Sequence, residues 1–312
     1  MHDLIIIGAG PAGMTAAIYA ARKKLDMVII SPDVGGQIAW TLEVDNYLGF
    51  NMISGIDLSE KFEQHIRDFH VEVINDTVDK LETRDGTFLA RTRGGKEYES
   101  RTVIVASGRS ARNLGVPGEE EFKGRGVAYC ATCDAPLFGD EDVAVVGGGN
   151  AGMGAVVQLI KIAKQIYLIE ERPTLTGNAH FMTYIDHAPN VRVLTGKKVE
   201  KIFGEKMVTG ISIKDVDNGE REDIPVAGVF VEIGSLPNTS FLPVDLKLTP
   251  YVGEIEIDCA NRTSIPGLFA AGDATTVPHK QIIIAAGEGA KAMLTAYDYL
   301  IRNFPDRLIS DE

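Results

Sequence analysis

Two cysteines separated by two residues and followed directly by an aspartate are the residues of this chain best suited to chemistry. They are Cys130, Cys133 and Asp134, in the stretch VAYCATCDAPLF. Three interpretations are open: half of a zinc site, a structural disulfide, or a redox-active dithiol. A dithiol can pass electrons to another disulfide because a thiolate attacks sulfur, and a neighbouring carboxyl group can carry the proton.

The rest of the chain favours the redox interpretation. A structural zinc site needs four ligands at suitable spacing. The only other cysteine, Cys259, stands alone in EIEIDCANRT, and His180 and His187 have no cysteine near them in the sequence. Three cysteines in 312 residues do not form a disulfide scaffold, and a close pair in a reducing compartment is more often catalytic or metal-binding. We therefore expect no metal, and a structural disulfide is the least favoured alternative.

Two glycine-rich motifs predict two nucleotide sites. Each follows a short run of branched apolar residues and opens a helical stretch, which is the order of strand, phosphate-binding turn and helix. One such motif is weak support, but two in the correct context are hard to explain without two nucleotides. The pyrophosphate of each would lie at a helix N-terminus. The glycines are Gly8, Gly10 and Gly13 in the first motif and Gly147, Gly149 and Gly152 in the second.

The order of the segments predicts an α/β fold with two Rossmann-like, three-layer (ββα) nucleotide-binding domains, the second inserted into the first. A late strand, 268–271, ends at Gly272 and Asp273, and a helical stretch follows from about Gln281. This pair has no partner unit in the tail, so it should return to the first domain. Proline-containing linkers bracket residues 117–243 as the inserted domain. The first domain would comprise 1–116 and 244–312.

Composition limits the partners. A formal net charge of −13 argues against nucleic acid or an anionic membrane surface as a partner, because neutralising phosphates requires an excess of basic residues. The sequence contains no apolar run of membrane-spanning length and does not begin with a secretory signal pattern. We therefore expect a cytoplasmic protein without a membrane segment.

The order of these motifs, from IIIGAGPAGMTAAIYAARK through VGGQI and CATCD to AAGD, resembles the low-molecular-weight thioredoxin reductases over essentially the whole chain. Segments such as VGGQIAWTLEVDNYLGF are also similar to the reductase body of the alkyl hydroperoxide reductase flavoprotein. The resemblance implies an FAD-dependent disulfide reductase and a homodimer. The thioredoxin-like N-terminal domain of that flavoprotein has no counterpart in this sequence, so the substrate should be a separate thioredoxin or thioredoxin-like protein, or a peroxiredoxin system.

The resemblance also assigns roles to individual residues. Cys133 would be the sulfur beside the flavin, Cys130 the sulfur that attacks the substrate, and Asp134 the proton shuttle. An N-cap is the alternative role for Asp134. The FAD pyrophosphate would lie on the first glycine motif, and Asp33 is a weak candidate for the adenosine ribose. The other FAD-contacting positions that the resemblance implies are Gln37, Asn46, Gly272, Asp273 and Gln281.

One departure from the family bears on the electron donor. Where NADPH-using members carry an arginine cluster, this chain has EERPTL, beginning at Glu170. A carboxylate at this strand end repels a 2′-phosphate and accepts hydrogen bonds from a free ribose, so NADH is favoured over NADPH. The missing basic cluster is equally consistent with ferredoxin as donor, and the residues do not separate the two. Rotation of the inserted domain about hinges near 116–118 and 237–243 is expected from related enzymes.

Overall fold

The computed structural model describes residues 1–41 and 43–305. The last seven residues of the predicted segment 244–312 lie outside the described residues. The strands are β1 His2–Ala9, β2 Met27–Val34, β3 Val73–Asn75, β4 Val78–Arg84, β5 Thr87–Thr92, β6 Glu97–Val105, β7 Arg109–Ala111, β8 Val127–Ala128, β9 Asp142–Val146, β10 Gln165–Glu170, β11 Val191–Thr195, β12 Lys197–Gly204, β13 Val208–Asp215, β14 Arg221–Ile224, β15 Gly228–Val231, β16 Ser235–Pro237 and β17 Leu268–Ala270. The α-helices are α1 Pro11–Arg22, α2 Gly55–Asp68, α3 Ala131–Asp134, α4 Asn150–Leu159, α5 Ala179–His187 and α6 Ile282–Asn303.

The first sheet has the strand order β3-β2-β1-β6-β5-β4, with β17 beside β6. Strand β1 is parallel to both of its neighbours and is covered on both faces, as its unbroken apolar run predicts. Leu4 and Ile6 face the layer that contains α1 and α6, and Ile5 and Ile7 face the opposite core. The late strand therefore returns to the first sheet, as the sequence indicates.

The second sheet has the order β11-β10-β9-β15-β8, and all of its pairings are parallel. Strand β9 repeats the pattern of β1, with Ala144 and Val146 buried in one core and Val143 and Val145 in the other. An antiparallel sheet of β12, β13 and β14 packs on one of these cores. The prediction of a mixed α/β fold with two Rossmann-like units is confirmed.

The chain passes between the first and the second sheet twice, and its two connecting segments pair with each other. Strands β7 and β16 form an antiparallel ribbon, in which Ser110 lies opposite Leu236. Asn238 extends the contact, since its amide donates to the carbonyl oxygen of Ser107 at 2.9 Å. This ribbon lies next to the predicted hinges; the limits at 117 and 243 stay predictions.

Among the helices of the described residues, none combines the length and the apolar character that crossing a bilayer requires. The longest, α6, packs along α1. Its buried face is lined by small residues, for example Ala285, Gly289 and Ala292, which let the two helices approach closely. A Cβ atom at Gly289 would overlap the Ala12 carbonyl group. This contact holds α6, and the cavity residues at its start, against the first glycine motif.

Candidate functional site

A cavity of about 820 Å³ lies where the carboxyl edge of the first sheet meets the dithiol segment. Its size is within the usual range for cofactor sites, about 300–1,000 Å³. The lining contains residues of the first glycine motif and of the dithiol segment, which are far apart in the chain. The lining residues on which the argument depends include Gly8, Gly10, Gln37, Asp273, Cys130 and Cys133.

The first glycine motif forms one wall of this cavity. Gly8 has a φ of +106°, which a residue with a side chain rarely adopts, and a Cβ atom there would overlap the Ala106 carbonyl group. Gly13 packs so closely that a Cβ atom would overlap the carbonyl oxygen of Gly8. Helix α1 then begins at Pro11, with Gly10 as its N-cap and no side chain over the helix end. The unpaired N–H groups of this turn are left to bind an anion such as a pyrophosphate.

The remaining predicted FAD residues gather around the same cavity. Gln37 lines it and donates from Nε2 to the carbonyl oxygen of Arg109 at 2.5 Å. Gln281 lines it and accepts from the Asn46 amide at 3.3 Å, so these two predicted residues meet although 235 positions separate them. Asp33 and Asp273 also line the cavity, the latter next to Gly272. Burial raises the pKa of Asp273, partly opposed by the charges of Lys280 and Arg109.

These features fit FAD. The glycine turn and the open end of α1 suit a pyrophosphate, and the carboxylate oxygens of Asp273 can accept hydrogen bonds from ribitol hydroxyl groups. The cavity continues to the dithiol, so an isoalloxazine ring bound there would lie on the path between the glycine turn and sulfur. Bound FAD would therefore be held by the first glycine motif, Gln37, Asp273 and Gln281.

Cys130 and Cys133 are joined by a disulfide, with their Cα atoms 5.3 Å apart. Cys130 is the N-cap of the single-turn helix α3, and its Sγ accepts a hydrogen bond from the Cys133 N–H at 3.2 Å. Both sulfur-bearing residues are half-buried and line the cavity. The cysteine pair is thus oxidised to a disulfide, and it faces the cavity in which we expect the flavin.

Asp134 follows the disulfide and is buried, with 8% of its surface exposed. Burial raises the pKa of its carboxyl group to about 7, because a charged carboxylate loses water that the protein does not replace. The group lines the same cavity. A carboxyl group that ionises near neutral pH and lines the same cavity as two cysteines can give or take the proton of a thiol.

A second carboxyl group near the disulfide, that of the half-buried Glu232, was not among the predicted site residues. It follows the last residue of β15, and its Oε1 accepts a hydrogen bond from the Ala131 N–H at 3.2 Å. Burial raises the pKa of Glu232 to about 7; the hydrogen bond from Ala131 opposes this, and the charge of Asp134 adds to it. The one signal in the sequence was an acidic residue ending the apolar run GVFVE.

The second glycine motif lies at the carboxyl end of β9, beside the strand that carries Glu232. Gly152 packs against Gly147, whose carbonyl oxygen a Cβ atom would overlap. Glu170 ends β10, and its carboxylate accepts from the Gly148 N–H at 2.6 Å and from the Arg172 N–H at 2.9 Å. The predicted nicotinamide residues, including Gly149 at the N-cap of α4, therefore come together, separate from the residues that line the first cavity.

Arg109 is a further residue that the sequence did not indicate. Its guanidinium group donates to Ser235 Oγ and to the Ser235 carbonyl oxygen, both at 2.8 Å, and to Glu254 Oε1 at 2.5 Å. Glu254 also forms an ion pair with Lys280 at 3.1 Å. Arg109 thus ties the two crossings of the chain to each other and to a loop at the cavity.

Comparison with known proteins gives a consistent result. Residues 2–290 match the model of the family described as pyridine nucleotide-disulphide oxidoreductase. The chain is 42% identical over 306 residues to the F subunit of alkyl hydroperoxide reductase in Pseudomonas putida, a match that covers 96% of this chain and 58% of that protein. It is 41% identical over 302 residues to an NADH dehydrogenase of Ferdinandcohnia aciditolerans, with 96% and 58% covered. The chain thus spans little more than half the length of these relatives.

The fold is similar to that of thioredoxin reductase from Streptococcus pyogenes, with a TM-score of 0.91, 38% identity, and 97% of this chain and 99% of that chain covered. Family membership implies FAD and a nicotinamide nucleotide as cofactors, in agreement with the two glycine motifs. The chain belongs to the pyridine nucleotide-disulphide oxidoreductase family and has the fold of its thioredoxin reductase-like flavoproteins.

Proposed function

We propose that this protein is an FAD-dependent disulfide reductase that passes electrons through Cys130 and Cys133 to thioredoxin or a thioredoxin-like protein. The observation that carries the proposal is that the disulfide and the first glycine motif line one cavity. Bound FAD would supply the two electrons that reduce the disulfide. The similarity to a thioredoxin reductase over nearly the full length of both chains supports this assignment.

The residues of the chain manage the sulfur and proton chemistry. Reduction breaks the Cys130–Cys133 bond, and the two sulfur atoms take up two electrons and, to become thiols, two protons. The Cys130 thiolate then attacks the substrate disulfide, and one substrate sulfur leaves as a thiolate that needs a proton. Asp134 is placed and buried to supply it. Cys133 next attacks Cys130 in the mixed disulfide, which releases the reduced substrate and restores the intramolecular bond.

We assign NADH as the favoured donor over NADPH because of Glu170. Its carboxylate lies at the end of β10 and contacts the glycine turn at 2.6 Å, the place where an adenosine ribose is recognised in such units. A carboxylate there accepts hydrogen bonds from a 2′-hydroxyl group and repels a 2′-phosphate. The similarity to a protein named NADH dehydrogenase supports the same choice.

The position of the dithiol requires a movement. A disulfide that lines the flavin cavity would be covered on that side by bound FAD and out of reach of a protein substrate there. We propose that residues 117–243 rotate as a unit about the two crossings of the chain, near 116–118 and 237–243, to expose Cys130. The ribbon of β7 and β16 supports this rotation. It pairs only three residues on each strand, so few backbone hydrogen bonds would have to change when the inserted domain rotates.

A second candidate is the reductase component of a peroxiredoxin system. It is favoured by the 42% identity to a component of alkyl hydroperoxide reductase over 96% of this chain. The chemistry at Cys130 is the same in both cases, and only the acceptor differs. We also propose a homodimer, on the basis of the family alone, and the cytoplasmic location stays the expectation stated from the sequence.

Anaerobic bleaching of the flavin with NADH, NADPH and reduced ferredoxin in parallel tests the donor, with NADH expected to be fastest. Fast bleaching by NADPH would refute the argument from Glu170, and bleaching by ferredoxin alone would replace the nicotinamide proposal. Reoxidation by oxidised thioredoxin, with and without a peroxiredoxin, tests the acceptor. Cys133→Ser should abolish this reoxidation, whereas Cys259→Ser, at an exposed free cysteine, should leave it unchanged.

A further inference from the structure

Glu232 is a half-buried ionisable group to which the proposed mechanism gives no role. It stands at the carboxyl end of β15, the strand between β9 and β8. Strand β9 leads into the second glycine motif, and β8 leads into the dithiol two residues later. Glu232 is therefore located at the one strand end that separates the predicted nicotinamide turn from the disulfide.

The Glu232 carboxylate contacts the redox helix directly. Oε1 accepts the hydrogen bond of the Ala131 N–H at 3.2 Å, and Ala131 is the residue that follows Cys130. This N–H is one of those at the start of α3 that have no partner within the helix. The bond to Glu232 therefore helps to fix the backbone between the two cysteines.

The surroundings of Glu232 contain few groups that could balance its charge. From α3 the charge of Asp134 acts on it, and the Ala131 N–H that it contacts belongs to the residue after Cys130. The neighbouring strands contribute apolar residues at this edge, Ala128 from β8 and Val146 from β9, and the turn after β9 contributes glycine. Two carboxyl groups in such a place do not ionise independently, because the first charge opposes the second.

We propose that Glu232 is a positioning residue of the dithiol centre: it holds the backbone between the cysteines and, through its charge, sets the protonation of Asp134 and of the reduced thiols. This inference rests on the proposed redox role of the cysteine pair. Near neutral pH the two carboxyl groups then hold about one proton between them. The carboxyl pair can take up a proton when a thiolate forms at Cys130 and release it when that thiolate is consumed. The net charge of the two carboxyl groups and the cysteine pair therefore changes less during disulfide exchange.

The test is the pH dependence of alkylation of Cys130 in the purified flavoprotein. A Cys133→Ser/Cys259→Ser background leaves Cys130 as its one thiol, and iodoacetamide reports the thiolate. Glu232→Gln keeps an oxygen acceptor for the Ala131 N–H but removes the charge. We expect the midpoint of the alkylation profile to fall by about one pH unit. At pH values below both midpoints the rate should rise about threefold rather than tenfold, because a less basic thiolate is a weaker nucleophile.

Two comparisons complete the design. Glu222→Gln, at an exposed carboxyl group of β14, should leave the midpoint unchanged. Asp134→Asn should also lower the midpoint, and the double variant should shift it by at least the sum of the two single shifts, because in each single variant the remaining carboxyl group ionises more fully and replaces part of the lost charge. A midpoint that Glu232→Gln does not move, or that Glu222→Gln moves equally, would overturn the proposal.

If Glu232→Gln does not fold, ¹³C NMR of the side-chain carboxyl groups in the unmodified protein decides the question. The resonances of Asp134 and Glu232 should titrate in two coupled steps around neutral pH, and two independent steps at the ordinary values for Asp and Glu would contradict the inference. Neither measurement requires a donor or a protein substrate. Failure of turnover with thioredoxin would therefore be distinguishable from failure of this inference.

Discussion

Replacing Asp134 by asparagine should stabilise the oxidised protein at alkaline pH. Burial raises the pKa of this carboxyl group from 3.8 to about 7, so the folded protein holds its proton more tightly than the unfolded chain does. Between these two values the folded state binds more protons, and stability falls as the pH rises. The loss is complete above the folded pKa and absent below the unfolded one.

The size of this loss follows from the two pKa values. At 1.36 kcal/mol for each tenfold change in the ionisation constant, a rise from 3.8 to about 7 corresponds to an upper limit of about 4 kcal/mol. Asparagine has nearly the same shape and no charge to bury, so Asp134→Asn should escape this part of the pH dependence.

Urea unfolding of the oxidised wild type and of Asp134→Asn, at intervals from pH 4 to pH 8.5, measures the effect. The free energy of unfolding of the variant, relative to wild type, should increase across this range by about 1–4 kcal/mol. The same variant should turn over thioredoxin more slowly, because the proton donor beside Cys130 is lost. A difference in stability that stays constant with pH would refute the reasoning that burial governs this carboxyl group.

Three further predictions use contacts of single residues. Gly152→Ala should abolish binding of the nicotinamide nucleotide but retain FAD, measured by calorimetry and flavin absorbance, because its Cβ atom would overlap the glycine turn. Gly154→Ala is the matched control: its Cβ atom would meet only Phe181 at 3.7 Å, so we expect intact binding and up to about 1 kcal/mol of added stability in urea. Glu170→Gln should lower the kcat/KM ratio of NADH to NADPH about tenfold; an unchanged ratio would remove the basis for NADH. Arg109→Met should lower the free energy of unfolding by about 1–3 kcal/mol, since it removes three hydrogen bonds at a side chain with 11% exposure. An unchanged urea midpoint would show that the contacts of Arg109 with Ser235 and Glu254 contribute nothing to stability.

Sequence patterns predicted the features that depend on local order. The strand before each glycine motif, the helix after it, and the late strand that rejoins the first sheet follow from hydrophobic runs and turn residues that are neighbours in the chain. Resemblance to a family added Asn46 and Gln281, which meet across 235 positions. No local pattern could have connected these two residues.

Glu232 and Arg109 were missed for a physical reason. Each makes its decisive contacts across more than 100 positions, Glu232 to Ala131 and Arg109 to Ser235 and Glu254. Such contacts depend on which strands become neighbours, and the insertion of β15 between β9 and β8 cannot be read from any one segment. In the sequence, an acidic residue at a strand end has the same pattern around it whether its side chain is solvated or buried in the folded protein.

The carboxyl groups of Asp134 and Glu232 lie in poorly solvated positions next to the dithiol segment, and this placement bears on the chemistry of the segment. Glu232 and Asp134 both have a pKa raised to about 7, which destabilises the folded state at higher pH and gives no packing advantage over apolar residues. Natural sequences keep such groups mainly where chemistry needs them. Because disulfide exchange moves protons whenever a thiolate forms, a site that holds about one exchangeable proton near neutral pH suits this step. The stability lost at Asp134 is therefore best understood as a consequence of the redox role that we propose for the cysteine pair.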